Sequence, residues 1–243
     1  MVGIVGLTQL QSMTENRMKT AILIPARIES KRFPRKMLSM LGDETLIQRV
    51  YRKCEETDFP TFVLTDSAEV VDHMPKGKAF LTADAENGTD RCCWWVNNVS
   101  QSYDCIINVQ GDMPDITPHI INTVHDLILL GAEVATVCAN MPPEKREVPS
   151  VVKVIHNGNK ARWFGRGFTR YGDHHLGIYG YTTETLLRYR KLTKYEEENI
   201  EKLEQLRWLQ NDIDISISEV SFDGIEINTP HDYLTWKHKN GVN

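Results

Sequence analysis

Apolar residues in this chain fall either into short continuous runs or into stripes at helical spacing. Ala21, Ile22, Leu23 and Ile24 form a run that Pro25 stops, the pattern of a short buried strand. Thr45 to Glu56 places Leu46, Ile47, Val50 and Cys54 on one helical face. Phe62 to Leu64 returns to strand character, Ser67 is placed to cap a short helix through Val71, and Lys78 to Leu81 reads as another strand. Cys92 to Val96 follows a glycine-containing turn and predicts a helix, whereas Cys105 to Val109 predicts a strand. Pro118 to Leu130 carries Ile120, Ile121, Val124, Leu127 and Ile128 on a stripe, and Val134 to Cys138 is strand again. This alternation predicts an α/β fold with a doubly wound, mostly parallel sheet.

Beyond Pro142 and Pro143 the order changes. Val151 to His156 and Ala161 to Phe164 predict a hairpin around Asn157, Gly158 and Asn159, and His174 to Tyr181 adds another strand. Together they predict an antiparallel extension suited to a second substrate. Tyr195 to Gln210 reads as one helix with early glutamates, Asp214 to Val220 as a strand, and Thr229 and Pro230 as the start of a last helix. On the Tyr195 helix Glu204 falls between Ile200 and Trp208 on the apolar face, beside Arg207. A buried carboxylate needs a partner, so Glu204 either pairs with Arg207 or points into a polar ligand pocket.

Candidate chemistry concentrates where these elements end. After the first strand, Arg27, Lys31, Arg32, Arg35 and Lys36 make a cationic loop stiffened by Pro25 and Pro34, with Ser30 as a hydroxyl donor. A loop at the carboxyl end of a parallel strand is where open α/β sheets bind ligands. No glycine-rich phosphate loop is present, so phosphates would be gripped by side chains. Asn87 to Arg91 opens a helix whose first N–H groups either are simply capped or face a ligand acceptor. Gln110, Gly111 and Asp112 end the Cys105 strand; Asp112 either caps the turn before Pro114 or holds a metal beside substrate phosphates. The basic loop favours the second reading, pointing to a nucleoside triphosphate with its metal.

Composition narrows the partners. The chain has 243 residues, 41% hydrophobic and 25% charged, and a net charge of −5, so the local cationic loop fits a small anion rather than nucleic acid. Five cysteines without metal-site spacing fit reduced thiols of a cytoplasmic protein. Residues 1–19 read as an N-terminal extension that fits neither a signal peptide nor a membrane span, and 20–243 as a single domain.

The motifs Pro25 to Leu38 (PAR-x-x-S-x-R-x-P-x-K-x-L), Asn87 to Arg91 (NGTDR), Asn108 to Asp112 (NVQGD), Val151 to Val154 (VVKV), His175 to Tyr181 (HLGIYGY) and Leu203 to Arg207 (LEQLR) resemble those of CMP-KDO synthetases, the 3-deoxy-manno-octulosonate cytidylyltransferases. The resemblance spans about Lys19 to Asn240. It implies a nucleotide-diphospho-sugar-transferase-like fold and a homodimer with a sugar-binding and dimerisation region at about 150–195. It also implies Mg²⁺-dependent transfer of CMP from CTP to an acidic 3-deoxy sugar for lipopolysaccharide biosynthesis. Catalysis would fall to Arg27, Lys36 and Asp112. CTP would meet Pro25, Ala26, Arg27, Ser30, Arg32, Lys36, Asn87, Gly88, Thr89, Arg91 and Gln110. The sugar would meet Gln110, Arg166, His175, Tyr179, Glu204 and Gln205, and the metal Asp112 and Asn228.

Several positions depart from the family pattern. Asn228 stands where the family carries an aspartate before Thr-Pro, with Glu226 or Asp232 as carboxylates that could substitute; Met113, Gly165 and His174 also differ. An amide oxygen brings no negative charge to a metal. The departures leave two alternatives open: a cytidylyltransferase for a related acidic sugar such as an amino-substituted KDO, or a binding homologue without turnover.

Overall fold

The structure, a computed structural model, describes residues 18–99, 101–167 and 171–242. Most of the expected N-terminal extension, residues 1–17, lies outside them. Lys19 belongs to the folded body, because its N–H donates to Asp104 Oδ2 at 2.8 Å and its carbonyl accepts from the amides of Asp104 and Cys105.

In chain order the elements are β1 (Thr20–Ala26), β2 (Met40–Leu41), β3 (Glu44–Thr45), α1 (Leu46–Glu55), β4 (Thr61–Thr65), α2 (Ala68–Asp72), β5 (Ala79–Leu81) and α3 (Gly88–Asn98). They continue with β6 (Cys105–Asn108), α4 (Pro118–Leu129), β7 (Val134–Ala139), β8 (Lys153–His156), β9 (Ala161–Gly165) and β10 (Asp173–Thr182). Last come α5 (Thr183–Arg188), α6 (Glu196–Glu201), α7 (Leu206–Gln210), β11 (Ile215–Glu219) and α8 (Pro230–Lys239). The main sheet runs β11-β7-β10-β6-β1-β4-β5. Strands β6, β1, β4 and β5 are parallel, as are β7 and β11, whereas β10 is antiparallel to both its neighbours.

β1 shows why the sheet is covered on both faces. Ile22, Ile24 and Ala26 pack into one core with α1 and α4, and Ala21 and Leu23 into a second core with Trp95, Tyr181 and Trp208. A strand buried on both sides needs an unbroken apolar run. Pro25 does not stop it: the strand continues to Ala26, with Pro25 opposite Leu64. The capping residues act where the sequence places them. Thr45, Asn87, Thr117 and Thr229 each accept an amide of their helix's first turn. Ser67 precedes α2 without a side-chain cap bond.

Two expectations are corrected. β10 is not confined to an outlying extension: only Asp173 and His174 pair with β8, and Tyr179 to Thr182 fill the slot between β6 and β7. Gly180 lets that central stretch sit under α4, because a Cβ there would come within 2.8 Å of Val124 Cγ1. The expected Tyr195–Gln210 helix is two short helices, α6 and α7, separated at Lys202, which takes a left-handed conformation at φ 55°. Turning the chain there buries Leu203 and Leu206 together with Trp208 in the second core. A single helix would aim those side chains along one fixed stripe.

His175 on β10 is buried, its Nε2 is 3.1 Å from Thr136 Oγ1, and its ring packs edge-on against Phe164. Burial first, then His174 and Arg166, lowers its pKa from 6.5 to about 3. The ring is therefore neutral, so it could meet a carboxylate only as a hydrogen-bond donor. Below the unfolded value the unfolded chain binds a proton that the folded chain refuses, so stability falls as pH drops from 6.5 toward about 3. Denaturant titrations at about pH 7.5 and about pH 5.5 should show wild type losing about 1.4 kcal/mol more than His175→Gln.

Candidate active site

The site is built at the carboxyl edge of β1 and β6. Beyond β1, Asp66 of the β4 end accepts the Ile28 amide at 3.1 Å, and the Ser30 hydroxyl oxygen accepts the Phe33 amide at 3.4 Å. These contacts shape the loop and leave its cations outward. Arg27 and Arg32 are exposed, and neither pairs with a carboxylate among the described residues. Arg35 is different, because its guanidinium is spent on Glu69.

Lys36 turns inward and is buried. Its Nζ donates to Asp112 Oδ2 at 2.6 Å and to the Ile227 carbonyl at 3.1 Å, and the Ile227 amide donates to the Asp112 carbonyl at 2.9 Å. Arg32 reaches Asn228 Oδ1 at 3.3 Å. The basic loop, the Gln110–Asp112 turn and the segment before α8 therefore meet. Asp232 Oδ2 accepts the amides of Asn228 and Thr229, the carboxylate half of a capping box, which ties that oxygen to the start of α8.

The start of α3 forms the next wall. Asn87 Oδ1 caps the Asp90 amide at 2.8 Å, while its Nδ2 donates to Tyr189. Thr89 donates to Glu204 Oε1 from its amide at 3.3 Å and from its hydroxyl at 2.8 Å. Glu204 thus sits on the positive end of α3. Burial raises its pKa, and these bonds work against that rise. The Glu204–Arg207 pair does not form, since Arg207 is held by Glu198 and Glu86. Arg91 is likewise occupied, with its guanidinium buried against Thr82 and Asp66.

Gln110 lies between the two halves. A Cβ on Gly88 would be 3.4 Å from Gln110 Nε2, and one on Gly177 of β10 would be 3.0 Å from Gln110 Cγ. Gly111 gives similar room to Met37 and the Pro25 carbonyl. Asn108, fully buried 3.6 Å from the same position on Gly88, has no hydrogen-bond partner for either amide atom. Such orphaned groups in a fold signal a water or ligand site. The signal of Asn108 in the sequence is a polar residue ending the apolar run of β6, at the head of the NVQGD motif.

Opposite stands Arg166, just beyond β9. Its Nε donates to the Glu201 carbonyl at 3.1 Å, one Nη to the Ser150 carbonyl at 2.5 Å, and its amide to Glu201 Oε2 at 2.8 Å. Lys153 braces it further by donating to its carbonyl at 3.1 Å. Burial, then Arg32, lowers the Arg166 pKa, and no carboxylate pairs with its guanidinium among the described residues. Burying a cation against carbonyls alone is costly and suits an incoming anion. Tyr179 is buried, with its pKa raised first by burial and then by Glu204. Gln205 is also buried, on the turn between α6 and α7. Arg32, Lys36, Asp112 and Asn228 therefore meet at one edge of the sheet, with Gln110 between Gly88 and Gly177 beside them, whereas Arg91 and His175 are committed to internal contacts.

Comparison with known proteins gives a consistent picture. Residues 21–215 match the family profile described as cytidylyltransferase. The 3-deoxy-manno-octulosonate cytidylyltransferase of Bacteroides thetaiotaomicron is 34% identical over 238 residues, 88% of this chain and 95% of that protein. That of Rickettsia bellii strain OSU 85-389 is 34% identical over 87% of this chain and 92% of its own. Among solved structures, a CMP:2-keto-3-deoxy-manno-octonic acid synthetase complexed with CTP superposes with TM-score 0.83 at 32% identity, covering 92% of this chain and 98% of that one. A cytidylyltransferase from Leptospira borgpetersenii, 20% identical with TM-score 0.60 over 91% of this chain and 86% of that one, shares the fold. The chain belongs to the cytidylyltransferase family, within the group of 3-deoxy-manno-octulosonate cytidylyltransferases.

Proposed function

We propose that this protein transfers CMP from CTP to the anomeric hydroxyl of 3-deoxy-manno-octulosonate (KDO), releasing pyrophosphate. The observation that carries the reading is the half-buried Arg166 guanidinium, held by two carbonyls and paired with no carboxylate among the described residues, on the same sheet edge as a loop whose Arg27 and Arg32 have no carboxylate partner there. One cationic group suits the sugar carboxylate and the other suits the triphosphate.

The chain's own part is binding, orientation and charge. Arg27, Arg32 and Lys36 neutralise the phosphates, and Gln110 lies between the Gly88 and Gly177 walls where the two substrates would meet. Asp112 and Asn228 would hold Mg²⁺, and the fit is sound in kind because both present oxygen atoms beside the cationic loop. When bound, the ion supplies positive charge at the phosphates and acidifies the attacking hydroxyl. His175 is a poor general base, because its Nε2 lies against Thr136 inside the sheet. Homodimer assembly, a cytoplasmic location and a part in lipopolysaccharide biosynthesis belong to the same reading, supported by family membership alone.

A second reading, an acidic sugar carrying an amino group, is favoured by Glu226. Its carboxylate lies 3.4 Å from the buried His174 Nε2 and acts electrostatically on both Arg166 and Tyr179. An ammonium would find its counter-charge there.

Pyrophosphate release from CTP with KDO and Mg²⁺ is expected, with little or none from the other nucleoside triphosphates. No release from KDO, with turnover of an amino-substituted KDO, would transfer the assignment to the second reading; CTP binding with no turnover of either would overturn both. Arg166→Ala should raise KM for the sugar about 10- to 100-fold, the loss expected for a charge-assisted hydrogen bond, and leave KM for CTP unchanged. Equal rises in both KM values would remove Arg166 from the sugar side.

A further inference from the structure

On the hairpin side of the sheet, Cys138 of β7, His156 at the end of β8 and Asp173 at the start of β10 converge, with one ligand atom from each lying within 4.8 Å of the others. His156 Nε2 is 3.6 Å from Cys138 Sγ and 2.7 Å from Asp173 Oδ2. The β8–β9 register shifts between Ile155 and His156, and such irregularities re-aim side chains.

We infer that Cys138, His156 and Asp173 form a binding site for a zinc-class divalent cation, separate from the Asp112 site. The donor set is thiolate, imidazole and carboxylate, the combination that borderline cations prefer over Mg²⁺. With metal–sulfur and metal–nitrogen bonds of about 2.3 Å and about 2.0 Å, a tetrahedral ion separates its S and N ligands by about 3.5 Å. The observed Sγ–Nε2 spacing of 3.6 Å is close to it. Asp173 is partly exposed, so its carboxylate can adjust to an ion, and water would complete the four ligands. Glu219, opposite Cys138 in the β7–β11 register, adds negative charge nearby.

Loading the cation would rearrange the protons of the cluster. His156 Nδ1 accepts the Gly158 amide at 3.1 Å, so in the metal-free molecule Nε2 carries the ring proton and gives it to Asp173. The Cys138 sulfur faces the same nitrogen and gets no proton from it. Loading replaces the Sγ–H bond by a metal–sulfur bond and releases that proton to solvent. The ring proton moves from Nε2 to Nδ1, so one proton leaves per cation. The thiolate and carboxylate then balance the two positive charges. The Gly158 contact opens, which an exposed turn allows.

The test uses the full-length, tag-free protein, stripped with chelator and titrated with Zn²⁺ or Co²⁺. Expected are one tight equivalent, a thiolate-to-cobalt charge-transfer band, release of about one proton and faster hydrogen exchange at Gly158. His156→Gln and Cys138→Ser should each weaken binding at least about tenfold, as loss of a ligand requires, while Asp112→Asn leaves the band unchanged. His156→Gln, a change at a partly exposed side chain, keeps the test open if Cys138→Ser does not fold. No saturable binding, binding without the thiolate band, or a band that survives both ligand variants would overturn the site.

Discussion

The contact on which the rest of the site depends is the ion pair between Lys36 and Asp112, 2.6 Å apart with both side chains largely shielded from water. Two charges withdrawn from solvent destabilise a fold unless each is answered, and here the answer comes from distant parts of the chain. Lys36 belongs to the loop after β1, Asp112 to the turn after β6, and the Ile227 carbonyl that completes the lysine's shell to the segment before α8. The pair thus fixes three loops relative to one sheet edge. On the proposed function the pair also keeps opposite charges in reserve, since a triphosphate would answer Lys36 as Asp112 does and a cation would answer Asp112 as Lys36 does.

β10 supplies the other half. Because it runs against its neighbours, its beginning lies at the edge where β1 and β6 end, bringing His174, His175 and Gly177 there. Gly177 then admits Gln110, and the hairpin paired to the first residues of β10 ends at Arg166. A reversed strand in a parallel sheet is therefore the device that brings the residues proposed for the sugar to the edge that carries the cationic loop. The turn at Lys202 serves the same end, placing Glu204 on the start of α3 and leaving Arg207 to Glu198.

What the sequence made legible was local. The apolar run of β1, the cationic loop beyond it, the caps at Asn87 and Thr229 and the Asp112 turn all rest on neighbouring residues, and the structure keeps them. What it concealed depends on contacts between distant segments. A strand reads the same whether it extends a sheet or is inserted into it, so β10 was misplaced. Helical periodicity across 195–210 was real, yet burying Leu203, Leu206 and Trp208 in one core outweighed continuity. His175 and Arg91 carried the expected chemistry, but their surroundings committed them to Thr136 and to Asp66 with Thr82. Asn108 reads in the sequence only as the head of the NVQGD motif, because an unsatisfied amide becomes visible only once its neighbours are known.

The central claim is that Asp112 and an incoming triphosphate compete for Lys36 until a cation takes the carboxylate. The direct measurement is the Kd for CTP in wild type and Asp112→Asn, with and without Mg²⁺. The account predicts that the variant binds CTP more tightly than wild type without metal, because Lys36 is released and a negative charge removed, and that it loses most of the gain from adding Mg²⁺. Weaker metal-free binding by the variant, or an undiminished gain from Mg²⁺, would contradict it.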